Sequence, residues 1–156
     1  MRVLGVDPGV TKIGLAIVDG RGVQSYRLSS SPRLPTFNKS LNAAIEYAYN
    51  EFGKYLDEEK PDLVALEIVP AFGRMSYREQ IVAVATVMKI ACISRKILYV
   101  EFTPRSWHKK LCGTAKVTKT EVKEFVCGKH QLVPDMPQDL YDAIGIATVG
   151  WQEAMK

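Results

Sequence analysis

The sequence predicts an α/β fold: a mixed five-stranded sheet with helices on both faces. Three observations predict it. Short apolar runs joined by Gly-rich turns come first, helical periodicity and apolar runs then alternate, and 156 residues are the length of one domain, spanning 1–156.

The elements follow in order. Val3-Leu4-Gly5-Val6 is an apolar run closed by Asp7-Pro8-Gly9. Pro8 holds Asp7 extended and Gly9 permits a tight turn, so Asp7 falls at a strand end. Ile13 to Val18 reads as a second strand, Asp19-Gly20 with Gly22 as a hairpin turn, and Val23 to Leu28 as the third strand of an antiparallel meander. After a Ser/Pro-rich loop, Leu41, Ala44, Ile45, Ala48, Phe52, Tyr55 and Leu56 recur at helical spacing between Phe37 and Glu59. Pro61-Asp62 ends that helix. Leu63 to Ile68 is a continuous apolar strand interrupted only by Glu67, the pattern of a strand buried on both faces.

Pro70 to Arg74 reads as a loop. A second helix, Ser76 to Ser94, is apolar almost all round, and its surface around Ile81, Val84 and Met88 is the candidate subunit interface. Such a helix belongs in the core or in a subunit interface. Ile97 to Phe102 is a fifth strand. Thr118-Lys119-Thr120-Glu121 fits a capping box and starts a helix ending at Gly128. Pro137 opens the last helix, with Leu140, Ala143, Ile144, Ala147 and Trp151 on one face. The order is β-β-β-α-β-α-β-α-α.

Composition narrows the function. Hydrophobic residues make up 47% and charged residues 24%, a globular balance that excludes disorder and coiled rods. The most apolar stretch, Ile81 to Ile93, contains Lys89 and is shorter than the ~18 residues of a membrane span. The first residues run straight into a strand without the pattern of a signal peptide. Three cysteines without a C-x-x-C pair point to reduced thiols in a cytoplasmic compartment, or in a phage or organellar DNA compartment, rather than to a zinc knuckle. With His108 and His130 the only histidines, a metal site here is one of carboxylates, suited to Mg²⁺ or Mn²⁺. The net charge is +4, yet Arg105, Lys109, Lys110, Lys116, Lys119, Lys123 and Lys129 face only Glu121 and Glu124 between Arg105 and Gln131. That local excess is larger than the charge of the whole chain. It is the footprint of a polyanion site or, on the plainer reading, a solvated helix face.

Four acids stand out by their surroundings. Asp7 ends a strand, Glu67 is the one charge in an apolar strand, and Asp139 and Asp142 share a helix face three residues apart. Singly, each has an ordinary explanation: a turn residue for Asp7, a partner of the helix dipole for Asp139, a buried ion pair for Glu67. Together they describe a metal site. If the first and fourth strands are neighbours, Asp7 and Glu67 lie side by side with the last helix against the same edge. Clustered carboxylates repel unless a divalent ion joins them, and two such ions about 4 Å apart suit phosphodiester hydrolysis.

Gly5-Val6-Asp7-Pro8-Gly9 with Gly14, Leu66-Glu67 and Asp139-x-x-Asp142-Ala143 resemble the RuvC-type Holliday junction resolvases of the ribonuclease H-like superfamily. The resemblance runs from residue 2 to about residue 150. It implies a ribonuclease H-like fold and a homodimer that binds a four-way DNA junction and nicks two opposing strands symmetrically. Asp7, Glu67, Asp139 and Asp142 then match the catalytic metal ligands, binding two Mg²⁺ or Mn²⁺ ions, and Lys119 matches a catalytic lysine beside the scissile phosphate. The family's second basic residue falls among His108, Lys109 and Lys110. Arg105, Lys116 and Lys123 complete the expected DNA contacts. Where the family carries an aromatic wedge soon after the catalytic Glu, this chain has Val69-Pro70-Ala71, with Phe72 and Tyr77 the nearest aromatics and Phe72 the expected DNA contact.

Lys119 also stands out on physical grounds. A lysine at the first residue of a helix opposes the dipole unless an anion is present, and a phosphate would be one. Two other enzyme readings share parts of the pattern. A ribonuclease H-like nuclease acting on flaps or RNA–DNA hybrids would use the same acids. An actin-like phosphotransferase fragment would share Asp7-x-Gly9-x-Thr11, but such enzymes need two domains. A junction-binding protein without activity would be expected to lack one of the acids.

Overall fold

The computed structural model describes residues 1–30, 41–68 and 75–156, with the side chains of 75–77 set aside. Strands β1 (Val3–Asp7), β2 (Lys12–Asp19) and β3 (Gly22–Ser30) form the meander. Helix α1 (Leu41–Glu59) leads into β4 (Leu63–Glu67), and α2 (Met75–Ser94) into β5 (Leu98–Phe102). Helices α3 (Pro104–Cys112), α4 (Lys119–His130) and α5 (Gln138–Ala154) follow.

The sheet order is β3-β2-β1-β4-β5. Strand β1 pairs antiparallel with β2 and parallel with β4, in the register Val6↔Leu66. The neighbourhood of the first and fourth strands expected from the sequence is therefore present. Side-chain alternation sorts each strand between two cores. Leu4, Val6, Val64 and Leu66 join Phe52, Leu56, Val84 and Met88 on the α1–α2 face. Val3 and Ala65 join Trp107, Val126, Ile144 and Ala147 on the α3–α5 face. Counting on by twos, Asp7 and Glu67 fall on the second face, beneath α5.

Helix α5 lies unusually close to the sheet. A Cβ added at Gly5 would sit 2.0 Å from the Ala143 carbonyl oxygen, and one at Gly14 would sit 2.2 Å from that of Asp139. Glycine is required at both places by close approach of two backbones. Because Gly14 is also paired with Asp7 across β1 and β2, one contact locks Asp7 and Asp139 together.

Several sequence expectations are corrected. Helix α3 was not anticipated between the fifth strand and the capping box. Thr103 caps it by accepting from the Ser106 N–H, Pro104 opens it, and left-handed Gly113 closes it. Helix α4 runs through Gly128 to His130 and closes on left-handed Gln131. Residues 37–40, expected to begin α1, and Phe72, expected to contact DNA, lie outside the described residues. Within α2, Val84 and Met88, expected at the subunit interface, are instead wholly buried in the α1–α2 core with Ile81 packed against it, whereas Val82, Ile90 and Ile93 are exposed. The helix is apolar all round because one face packs inward and another faces outward. No helix among the described residues is long and apolar enough to cross a membrane.

Gly5→Ala should be among the most damaging single-methyl additions in the chain. The intruding atom meets backbone, which cannot rotate away, so a loss of about 3 kcal/mol or more is expected. Urea denaturation of Gly5→Ala beside the exposed control Gly128→Ala, whose added Cβ meets nothing within 4 Å, measures it.

Candidate active site

The four acids reach one edge from three elements. Asp7 ends β1, Glu67 ends β4, and Asp139 and Asp142 occupy the first turns of α5. Their mutual influence is direct. Burial, then the charges of Glu67, Asp142 and Asp139, push the Asp7 carboxyl up to about 8, opposed only in part by Lys119. Burial and Asp142 push Glu67 up to about 7, against a hydrogen bond from Trp107. Burial also raises Asp142, against the Gln138 amide and Lys119, with Asp139 adding to the rise.

Two of the acids are held by specific donors. The indole Nε1–H of Trp107 donates to Glu67 Oε2 at 2.6 Å. The Gln138 Nε2–H donates to Asp142 Oδ1 at 2.9 Å from one turn earlier in α5. The ion pair considered for Glu67 in the sequence is thus replaced by a neutral donor. Neither Trp107 nor Gln138 was singled out in the sequence. Gln138 four residues before Asp142 could have been found by helical spacing, whereas the indole bond spans 40 residues and left no local signal.

Lys119 is the first residue of α4, behind the capping box formed by Thr118 and Glu121. With Glu67, Asp142, Trp107, His108 and Val122 it lines a cleft of about 160 Å³. Among the candidates for the second basic position, His108 lines this cleft and burial lowers its pKa. Lys110 is drawn to Glu153 at 2.8 Å, on the C-terminal part of α5. Arg105, Lys109 and Lys116 are exposed, and Lys123 lies with its ammonium 5.6 Å from the centre of the Tyr141 ring.

The donor set fits a hard divalent cation. All its ligand atoms are carboxylate oxygens, and the repulsion that raises Asp7 exceeds what one lysine relieves. Among the described residues no three acidic, histidine or cysteine side chains are gathered closely enough to hold an ion as they stand. Glu67 and Asp142 each have one oxygen committed to a hydrogen bond.

A 3-2-1-4-5 mixed sheet under a C-terminal helix, with acids at the ends of its parallel central strands, has the ribonuclease H-like fold. The profile of the family described as crossover junction endodeoxyribonuclease RuvC matches residues 3–149. A protein of that description from Gloeobacter violaceus is 30% identical, over 97% of this chain and 88% of its own length. Another from Thermobifida fusca is 30% identical over 94% of this chain and 82% of its own. The structure of Thermus thermophilus RuvC in complex with Holliday junction substrate superposes with a TM-score of 0.85 at 20% identity, covering 99% of this chain and 96% of the other. This chain belongs to the RuvC family of crossover junction endodeoxyribonucleases, Holliday junction resolvases and generally metal-dependent nucleases.

The raised carboxyls set a pH dependence for the metal-free protein. Asp7 and Glu67 hold protons more tightly folded than unfolded. The stability they contribute is present below about pH 4 and is lost as pH rises through about 7 and 8. Asp7→Asn, which removes the charge and keeps the shape, should therefore stabilise the protein in EDTA by about 1–3 kcal/mol at pH 8.5, screening at the open edge being allowed for. At pH 4 the two proteins should melt together. Thermal melts across that range check it.

Proposed function

We propose that this chain resolves four-way DNA junctions by hydrolysing one phosphodiester in each of two opposing strands, with Asp7, Glu67, Asp139 and Asp142 holding Mg²⁺, two ions per site, or Mn²⁺ in its place. The observation that carries this reading is the convergence of four acids and Lys119 on one edge, where burial and the neighbouring carboxylates raise the Asp7 carboxyl. Ions bound there supply Lewis-acid chemistry, lowering the pKa of water and neutralising charge on the phosphate. The chain's own residues do the rest. Asp7 and Glu67, fixed by adjacent strands, keep a constant spacing. Lys119, at a helix N-terminus with unpaired N–H groups, binds the phosphate and meets the charge that builds on it. Exposed Arg105, Lys109 and Lys116, with Lys123, bind the flanking backbone in a salt-dependent way. Such an enzyme works in the cytoplasm, where its thiols stay reduced.

The symmetry of a four-way junction calls for two sites related by a two-fold axis, hence a homodimer. The outward stripe of α2, formed by Val82, Ile90 and Ile93, is the surface proposed to meet its copy. Ile90→Glu together with Ile93→Glu should convert the protein to a monomer at micromolar concentration. Light scattering reads the mass directly, and a wild-type protein that is itself monomeric with and without junction DNA would refute the assignment.

A labelled synthetic junction, run beside flap, RNA–DNA hybrid and linear duplex, tests substrate choice; preferential cutting of the hybrid would favour a different ribonuclease H-like activity. Asp7→Asn and Glu67→Gln should abolish nicking and leave junction binding intact. Lys119→Ala should slow nicking at saturating DNA and metal by about 10²-fold, as loss of one transition-state donor does. Its effect on affinity should be small, since one phosphate contact among several is lost.

A further inference from the structure

Trp107 is a largely apolar side chain that reaches into the acidic cluster with a polar atom. Its N–H donates to Glu67 Oε2 at 2.6 Å. An indole nitrogen is a donor only, so it can neither ligate a cation nor exchange a proton with the carboxylate. What it can do is fix direction. The ring itself is closely packed. It is 1% exposed, lies in the α3–α5 core, and presses so closely on α5 that a Cβ at Gly145 would come within 3.0 Å of it. The His108 ring closes its other side, edge-on at 4.0 Å between centres.

Glu67 has no such confinement of its own. It is the last residue of β4, partly exposed, and its carboxylate is repelled by that of Asp142. An unrestrained carboxylate in that position would rotate away from the cluster. We propose that Trp107 is a positioning residue: its N–H, held by the packing of α3 on α5, fixes the rotamer in which Glu67 lines the cleft with Asp142 and Lys119. This rests on the reading of Glu67 as a ligand of the divalent ion. Donors that orient a metal-binding side chain are commonly worth about tenfold or more in metal affinity.

The test replaces Trp107 with 3-benzothienylalanine, which keeps the bicyclic shape and substitutes sulfur for the N–H, and separately with Phe. Leu111→Ala, on the same helix and in the same core, removes packing without touching the hydrogen bond. Mn²⁺ affinity of the DNA-free protein is measured by calorimetry, and junction nicking is followed as a function of Mg²⁺. Both Trp107 variants should bind Mn²⁺ about tenfold more weakly and need correspondingly more Mg²⁺ for half-maximal nicking. Leu111→Ala should melt earlier and bind Mn²⁺ as the wild type does. Wild-type Mn²⁺ affinity in the benzothienyl variant, or an equal loss of affinity in Leu111→Ala, would overturn the proposal. Glu67→Gln separates the two readings. If it nicks junctions and binds Mn²⁺ normally, the role of Glu67 itself fails; if it is inactive while the benzothienyl variant behaves as wild type, only the role of Trp107 fails.

Discussion

The seat of α5 on β1 and β2 is the constraint from which the rest follows. Two backbones meet there with no side chain between them, at Gly5 against Ala143 and at Gly14 against Asp139. Side-chain packing normally leaves helices about 10 Å from a sheet and tolerates some sliding. Direct backbone contact does not. The first turns of α5 are thereby fixed in height and register over the ends of β1 and β4. The acids of three separate elements converge because no side chain stands between α5 and the strands at these two glycines.

Strand alternation supplies the second half of the arrangement. Asp7 and Glu67 share a face because each continues the odd-numbered series that packs under α5, while the even-numbered series packs against α1 and α2. The polar cluster is thus the continuation of a hydrophobic core past its edge. Its cost is electrostatic, since burial and repulsion both raise the Asp7 carboxyl. Lys119 offsets part of it from the capped start of α4, which lines the same cleft as Glu67 and Asp142. Lys110, one turn of α3 away from the cleft, is neutralised by Glu153 and adds nothing to that balance.

Much of this was legible in the sequence, for identifiable reasons. Strands and long helices announce themselves by period, and Asp7-Pro8-Gly9 and Thr118 to Glu121 are local signals whose geometry depends on few neighbours. Helix α3 has Thr103, Pro104 and Gly113 at its ends, but with only Trp107 and Leu111 buried in nine residues it is too short to show a clear apolar period. For α2, composition showed an all-apolar helix but could not say which face the fold covers. Val84 and Met88 turned inward and Val82, Ile90 and Ile93 outward only once α1 was in place. The Trp107–Glu67 bond has no sequence signature, since it exists only because α3 packs against α5 beside the end of β4.

The two halves of the cleft differ in how far they can drift. The acidic wall rests on backbone contact, where one added methyl group collides with a carbonyl. The basic wall rests on Leu111, Val122 and Val126, ordinary apolar side chains that repack with their neighbours. The basic side chains can be exchanged, shifted by a turn or recharged without disturbing the carboxylates. A fold organised in this way can retune what it holds while the chemistry stays where it is.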